Sequence, residues 1–142
     1  MSGSRPKPVR VGDVVGGKYC VERTLGEGGI GIVVRARHIE LRQPVAIKAL
    51  LLSDDEEQVA RFMREARASV QLRGEHVAKV TDVGRLEDGT PFMVMEYLDG
   101  EDLGAVAERQ RLLPGDAVAY VLQACEGIAE AHALGIIHRD IK

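Results

Sequence analysis

The chain has 142 residues, 45% hydrophobic and 29% charged, the balance of one soluble globular domain or a piece of a larger one, not of a disordered tail or a membrane protein. Its formal net charge of −3 excludes the basic excess of a general nucleic-acid surface. Two cysteines, Cys20 and Cys125, stand far apart without metal-ligand spacing, which argues against a disulfide framework and against zinc, and fits a reducing, cytoplasmic setting. No apolar run is long enough for a membrane span, and Met1 to Pro6 lacks the apolar core of a signal peptide.

Residues 1–17 carry Arg5, Lys7 and Arg10 with two prolines and little that packs, so they read as a loose leader. From Lys18 the texture changes. Tyr19 to Leu25 is strand-like, Gly26 to Gly31 is a tight turn, and Ile32 to Arg37 is a second strand, so the two form a hairpin. Pro44 to Leu51 reads as a third strand, apolar enough to be buried on both faces. Ser53-Asp54-Asp55-Glu56 has the form of a capping box. The helix it opens places Val59, Phe62, Met63, Ala66 and Val70 on one stripe and ends near Leu72-Arg73-Gly74, with glycine as its cap. Val77 to Leu86 and Thr90 to Met95 are two further strands, joined by an Asp88-Gly89 turn. A short helix follows near Asp102 to Arg109. Pro114 opens a longer one, with Val118, Val121, Cys125, Ile128 and His132 as its stripe and Gly135 at its close. The fold class is α+β: five mostly antiparallel strands with one helix inserted after the third, then a helical portion.

Chemistry is suggested at three places. Gly26-x-Gly28-x-x-Gly31 lets backbone N–H groups approach an anion without Cβ interference, or is simply a glycine-softened hairpin turn. A dinucleotide-binding reading needs a helix after the glycines, and Ile32-Val33-Val34 is a strand, so that reading is excluded. Lys48 stands in an apolar strand, where it either snorkels to the sheet edge or meets an opposite charge. At about 100° per residue, Glu65 falls beside Phe62 and Ala66, bordering the helix face that packs on the sheet. It is either the partner of Lys48 or an ordinary surface glutamate. Asp140, between Arg139 and Lys142, is a solvated connection or a carboxylate able to take a proton from an attacking hydroxyl.

Taken together, Gly26-x-Gly28-x-x-Gly31-x-Val33, Val45-Ala46-Ile47-Lys48, Glu65 in the following helix and His138-Arg139-Asp140 resemble the signature set of eukaryotic-type protein kinases. The likeness runs from about Lys18 to Lys142. Lys142 after Asp140 resembles the serine/threonine subclass, and the wording around Gly26 to Gly29 and Gly84 to Leu103 looks most like the bacterial members. The resemblance implies a kinase small lobe of five strands and one helix, a hinge, and the first helices of a truncated large lobe. The boundaries are a leader at 1–17, the small lobe and hinge at 18–98, and the large-lobe start at 99–142.

It also implies roles. The loop from Leu25 through Gly26, Glu27, Gly28, Gly29, Ile30 and Gly31 to Val33 would cover the ATP phosphates, and Val33 with Ala46 would roof the adenine. Lys48 would hold the phosphates and Glu65 would orient it. Met95 resembles the gatekeeper behind the adenine, Glu96-Tyr97-Leu98 the hinge, with backbone hydrogen bonds from Glu96 and Leu98, and Asp102 a ribose contact. Asp140 would be the base, Lys142 would reach the transferred phosphate, and His138 and Arg139 would support the loop. The chain departs from the family at Ile30, where an aromatic or Met is usual, and at Gly74-Glu75-His76, where His-Pro-x is usual. Mg2+ is expected for an intact domain, but the family's metal-binding asparagine and Asp-Phe-Gly do not occur here.

The expected function is therefore ATP-dependent phosphorylation of serine or threonine in a protein substrate, with this chain by itself inactive. A different class is a non-catalytic fragment that binds nucleotide or a partner kinase and regulates it. A third is a small-molecule phosphotransferase. Neither nucleic acid nor a membrane enters any of these.

Overall fold

The computed structural model describes residues 9–51, 55–137 and 141. Six strands form one antiparallel sheet: β1 (Val14–Val15), β2 (Tyr19–Glu27), β3 (Gly31–His38), β4 (Pro44–Leu50), β5 (Val80–Arg85) and β6 (Pro91–Glu96), in the order β1-β2-β3-β4-β6-β5. Helix α1 (Glu56–Ser69) is inserted between β4 and β5, and α2 (Leu103–Arg109) and α3 (Pro114–Ala133) follow the sheet. The expected kinase-like small lobe is present, with one strand more than the five read from the sequence.

That extra strand corrects the loose-leader reading for residues 9–17. Val9 and Val15 are only 2% and 1% exposed, and Val14 and Val15 pair with Cys20 and Tyr19. Gly12, Gly16 and Gly17 have φ of 90°, 58° and 69°, the left-handed region that glycine enters without strain, so the chain doubles back here. Two valines thereby reach the core from a segment whose composition is that of a tail. Residues 1–8 lie outside the described ones.

Alternation along the strands divides the sheet into two faces. Ile32, Val34 and Ala36 of β3, Ile47 and Ala49 of β4, and Phe92 and Val94 of β6 point to the first face. There they form a core with Val9, Val15, Tyr19 and Val21. The sheet curls around this core until β2, next to one edge, meets β5 at the other: the Tyr19 hydroxyl of β2 donates to Asp82 of β5 at 3.2 Å, and Lys18 Nζ is 3.7 Å from the same carboxylate. On the second face, Leu50 and Met93 receive Phe62 and Ala66 of α1, flanked by Val59, Met63, Val83 and Met95. Strand β4 thus buries Ala46, Ile47, Ala49 and Leu50, as its apolar run, interrupted by Lys48 alone, predicts.

Two helix ends differ from the sequence reading. Asp55 caps α1, its side chain accepting from the Glu57 N–H at 2.9 Å, while Ser53, which opens the expected capping box, lies outside the described residues. The helix stops at Ser69, before the glycine expected to end it. The Asp88-Gly89 turn and the Gly135 stop are as expected, with φ of 86° and 75° at the two glycines.

Candidate functional site

Cross-strand register assembles the site. Residues directly opposite one another project to the same face, and successive rungs on a face lie about 7 Å apart. One rung runs Gly26, Val33, Lys48, Met93, and the next runs Arg23, Arg35, Ala46, Met95. Gly26, Val33, Ala46, Lys48 and Met95, scattered through the sequence, therefore share one face of the sheet, the face on which α1 also packs.

The glycine turn closes over the end of this face. Gly28 N–H donates to the Gly31 carbonyl at 2.9 Å, and Leu51 N–H donates to the Ile30 carbonyl at 3.0 Å, tying the tip back to the end of β4. A Cβ on Gly31 would lie 2.9 Å from the Ala49 carbonyl oxygen and 3.8 Å from Lys48 Cε, so Gly31 must be glycine and the lysine passes beneath it. At Gly26, Gly28 and Gly29 a Cβ would meet nothing within 4 Å, and none of the three has a positive φ. Neither packing nor backbone geometry asks for glycine there. Leu25, Glu27 and Ile30 are exposed along the same turn.

Lys48 is half-buried between Val33 and Met93, and no ion pair to it occurs among the described residues. The expected Lys48–Glu65 pair is not formed. Glu65 Oε1 instead accepts from Arg61 Nε at 3.0 Å, and its side chain is 55% exposed. The reason is rotational. The buried stripe of α1 is centred on Phe62 and Ala66, which turns Glu65 past the border of the face toward solvent, where Arg61 stands one turn away.

At the far end of the face, Met95 packs against the α1 cluster. Glu96 is doubly tied to Lys79: its N–H donates to the Lys79 carbonyl at 2.9 Å, and its Oε1 accepts the Lys79 N–H at 2.9 Å. Leu98 is exposed. Asp102, expected at a ribose, caps α2 by accepting the Ala105 N–H at 2.8 Å through Oδ1. His138, Arg139, Asp140 and Lys142 lie outside the described residues.

A group that sequence reasoning missed lies on the rung of Ala46. Arg23 Nη2 donates to the Tyr97 hydroxyl at 2.9 Å, and the Arg35 guanidinium stands 4.9 Å from the centre of the Tyr97 ring. Glu22 is bound by both Arg35 and Arg37, the latter at 2.7 Å. Alternation of Arg35 and Arg37 along β3 signalled one charged face, but the part played by Tyr97 is visible only once the sheet has curled.

The family model for the protein kinase domain matches residues 19–142. The chain belongs to the protein kinase family. It is 43% identical over 135 residues to serine/threonine-protein kinase pkn3 of Myxococcus xanthus, covering 93% of this chain and 25% of that kinase. It is 38% identical over 136 residues to serine/threonine-protein kinase PknH of Mycobacterium tuberculosis, covering 94% of this chain and 21% of that kinase. Among solved structures it resembles the Mycobacterium tuberculosis PknI kinase domain, with a TM-score of 0.76 and 31% identity over 94% of this chain and 55% of that one. The chain thus spans a quarter or less of these two curated relatives and about half of a solved kinase domain.

Proposed function

We propose that this chain carries the nucleotide-binding half of a serine/threonine kinase site, and that the protein containing it transfers the γ-phosphoryl group of ATP to serine or threonine hydroxyls of a protein. The observation that carries this reading is the glycine turn over Lys48. The one glycine that packing demands, Gly31, lets the lysine pass beneath, and the three that packing does not demand leave room above a cation with no ion pair among the described residues. An ammonium under an open turn of backbone N–H groups is chemically matched to a polyphosphate. The apolar rung of Val33 and Ala46 is matched to a purine ring.

In the proposed reaction, the substrate hydroxyl oxygen attacks the γ-phosphorus, the bond to the bridging oxygen of ADP breaks, and the hydroxyl proton passes to the Asp140 carboxylate. Lys48 and Lys142 balance charge on the phosphates. Magnesium, where bound, supplies further neutralisation, but the family's metal-binding residues are not in this sequence, so no step here is assigned to it. Glu65 must leave Arg61 before it can orient Lys48.

The test is direct. The chain should bind a fluorescent ATP analogue, and Lys48→Ala should weaken that binding about tenfold or more, equivalent to about 1.4 kcal/mol or more. Binding that is unchanged in Lys48→Ala would refute the site. The 142-residue chain alone should transfer no phosphate to protein, as measured with radiolabelled ATP.

A non-catalytic nucleotide-binding role is favoured by one observation, the Arg61–Glu65 pair that leaves Lys48 without its expected partner. Nucleotide binding by the longer protein without phosphoryl transfer would select it. No described helix is long and apolar enough to cross a membrane. With both cysteines free, Cys125 exposed, we infer a reducing, cytoplasmic location for this segment and a role in signalling.

A further inference from the structure

We infer that Arg23, Arg35 and Tyr97 form a clamp between the sheet and the segment after β6, and that this clamp sets the height of the slot that receives the nucleotide base. The inference rests on the nucleotide-site reading above and deepens it: these are positioning residues for the purine, not contacts to it.

Arg35 lies in β3, hydrogen-bonded on both sides within the sheet, and its side chain is only 23% exposed. Its register partner is Ala46, one of the two residues proposed to roof the base, so its backbone and the roof move together. A guanidinium on the rung of Ala46 and Met95 is costly unless its charge is met. Glu22 meets it on one side and the Tyr97 ring on the other, at 4.9 Å from guanidinium carbon to ring centre. Glu22 is shared with Arg37, so its single negative charge serves two cations and cannot satisfy Arg35 alone. The ring takes up the remainder. Arg23, opposite Arg35 on β2, adds the 2.9 Å bond to the Tyr97 hydroxyl.

Tyr97 lies between Glu96 and Leu98, the residues whose backbone is proposed to meet the adenine edge. Two arginines on adjacent strands of the roof therefore grip the one residue between those backbone contacts. A slot bounded above by Val33 and Ala46 and along one edge by residues 96–98 has its opening fixed by the link between roof and edge. The clamp is that link. Nothing in it reaches the rung of Lys48, so the phosphate end of the site should not sense it.

The discriminating experiment compares ATP with inorganic tripolyphosphate, which has the phosphates and no base. Tyr97→Leu leaves the charge unchanged while removing ring and hydroxyl. Titrating the wild-type and variant chains calorimetrically, we expect Tyr97→Leu to weaken ATP about fivefold and leave tripolyphosphate unchanged, in line with the modest strength of a partly exposed cation–π contact plus one hydrogen bond. Tyr97→Phe, which keeps the ring and loses only the Arg23 bond, should fall about twofold. Arg35→Ala combined with Tyr97→Leu should weaken ATP no more than the stronger single change, because both remove the same contact.

Equal ATP affinity in wild type and Tyr97→Leu overturns the clamp, as does a parallel loss for tripolyphosphate, which would mark a general structural role. If Tyr97→Leu does not fold, the near-isosteric Tyr97→Phe decides by the same ratio. Wild-type chain that binds neither ligand refutes the nucleotide-site reading itself, and the clamp falls with it.

Discussion

Tyr19 joins β2 to the edge strand β5 of a curled sheet through one hydroxyl, and its titration should report on that closure. Burial disfavours the phenolate, and the Asp82 charge and hydrogen bond disfavour it further, so the Tyr19 hydroxyl titrates above the ordinary tyrosine value. The folded chain therefore holds this proton more tightly than the unfolded one. The resulting stability is complete below about pH 10 and is lost as pH rises through the folded-state value. Tyr19→Phe should cost about 1 kcal/mol in urea unfolding at neutral pH, because it removes the hydrogen bond to Asp82, which keeps only Lys18 and the N–H of its own neighbour Val83. The variant should also lack the part of the alkaline decline that Tyr19 contributes. Equal neutral-pH stability would mean that the Asp82 bond adds nothing. At the same scale, the glycine turn and Lys48 were legible because each breaks a local rule: glycines where a strand begins, a cation in an apolar run. Glu65 was legible as a border residue, but which side of the border it takes depends on how α1 rolls on the sheet, and periodicity leaves that open by a fraction of a turn.

Between elements, α3 is joined to the chain after α1 by a seam of side-chain bonds. Glu130 Oε1 accepts the Arg73 N–H at 2.6 Å, and Oε2 accepts the Gly74 N–H at 2.9 Å, while one turn earlier Glu126 meets His76 at 2.8 Å. Gly127 lies between the two glutamates, and a Cβ there would lie 2.7 Å from the His76 carbonyl oxygen. Alanine in place of a mid-helix glycine ordinarily gains up to about 1 kcal/mol. Here the obstacle is backbone, which cannot swing aside, so Gly127→Ala should instead cost about 2 kcal/mol net, read as a lowered urea midpoint. Gly74→Ala presses on the end of a flexible side chain, Glu130 Oε2, and should cost less, about 1 kcal/mol, chiefly through the loosened hydrogen bonds. The reverse order of the two losses would show that the seam yields at the backbone. This seam explains the misread glycine: Gly74 looks like a helix cap in sequence, whereas its role is to admit a carboxylate from a helix more than fifty residues away. Strand β1 was missed for a similar reason, since two valines count as core only once three glycines have turned the chain beneath the sheet.

For the molecule as a whole, the succession of strands along the chain and the helix insertion could be read from punctuation, because turn glycines and a capping acid mark element ends locally. The burial of α3 could not, because a stripe states only that a helix has an apolar side and does not say what lies against it. The structure answers unevenly. Gly127, Ile128 and Ala131 face a cavity of about 470 Å³ shared with Leu72 and Val77, whereas Val118 and Val121 are each 59% exposed, with Leu122 beside them. A contiguous exposed apolar strip on a soluble chain is an association surface unless something covers it. The 142-residue chain by itself is therefore expected to self-associate as its concentration rises, seen as a growing sedimentation coefficient. Replacing Val118 with Glu and Leu122 with Lys removes two of those side chains and sets an acid four residues before a base. That arrangement supports a helix by about 0.3–0.5 kcal/mol, so the fold should not suffer. The double variant should sediment as a monomer with an unfolding midpoint at least equal to that of the parent. A parent chain that stays monomeric over the same range would show that the strip is too weakly apolar to drive association. A variant that still associates would move the contact to another surface, away from α3.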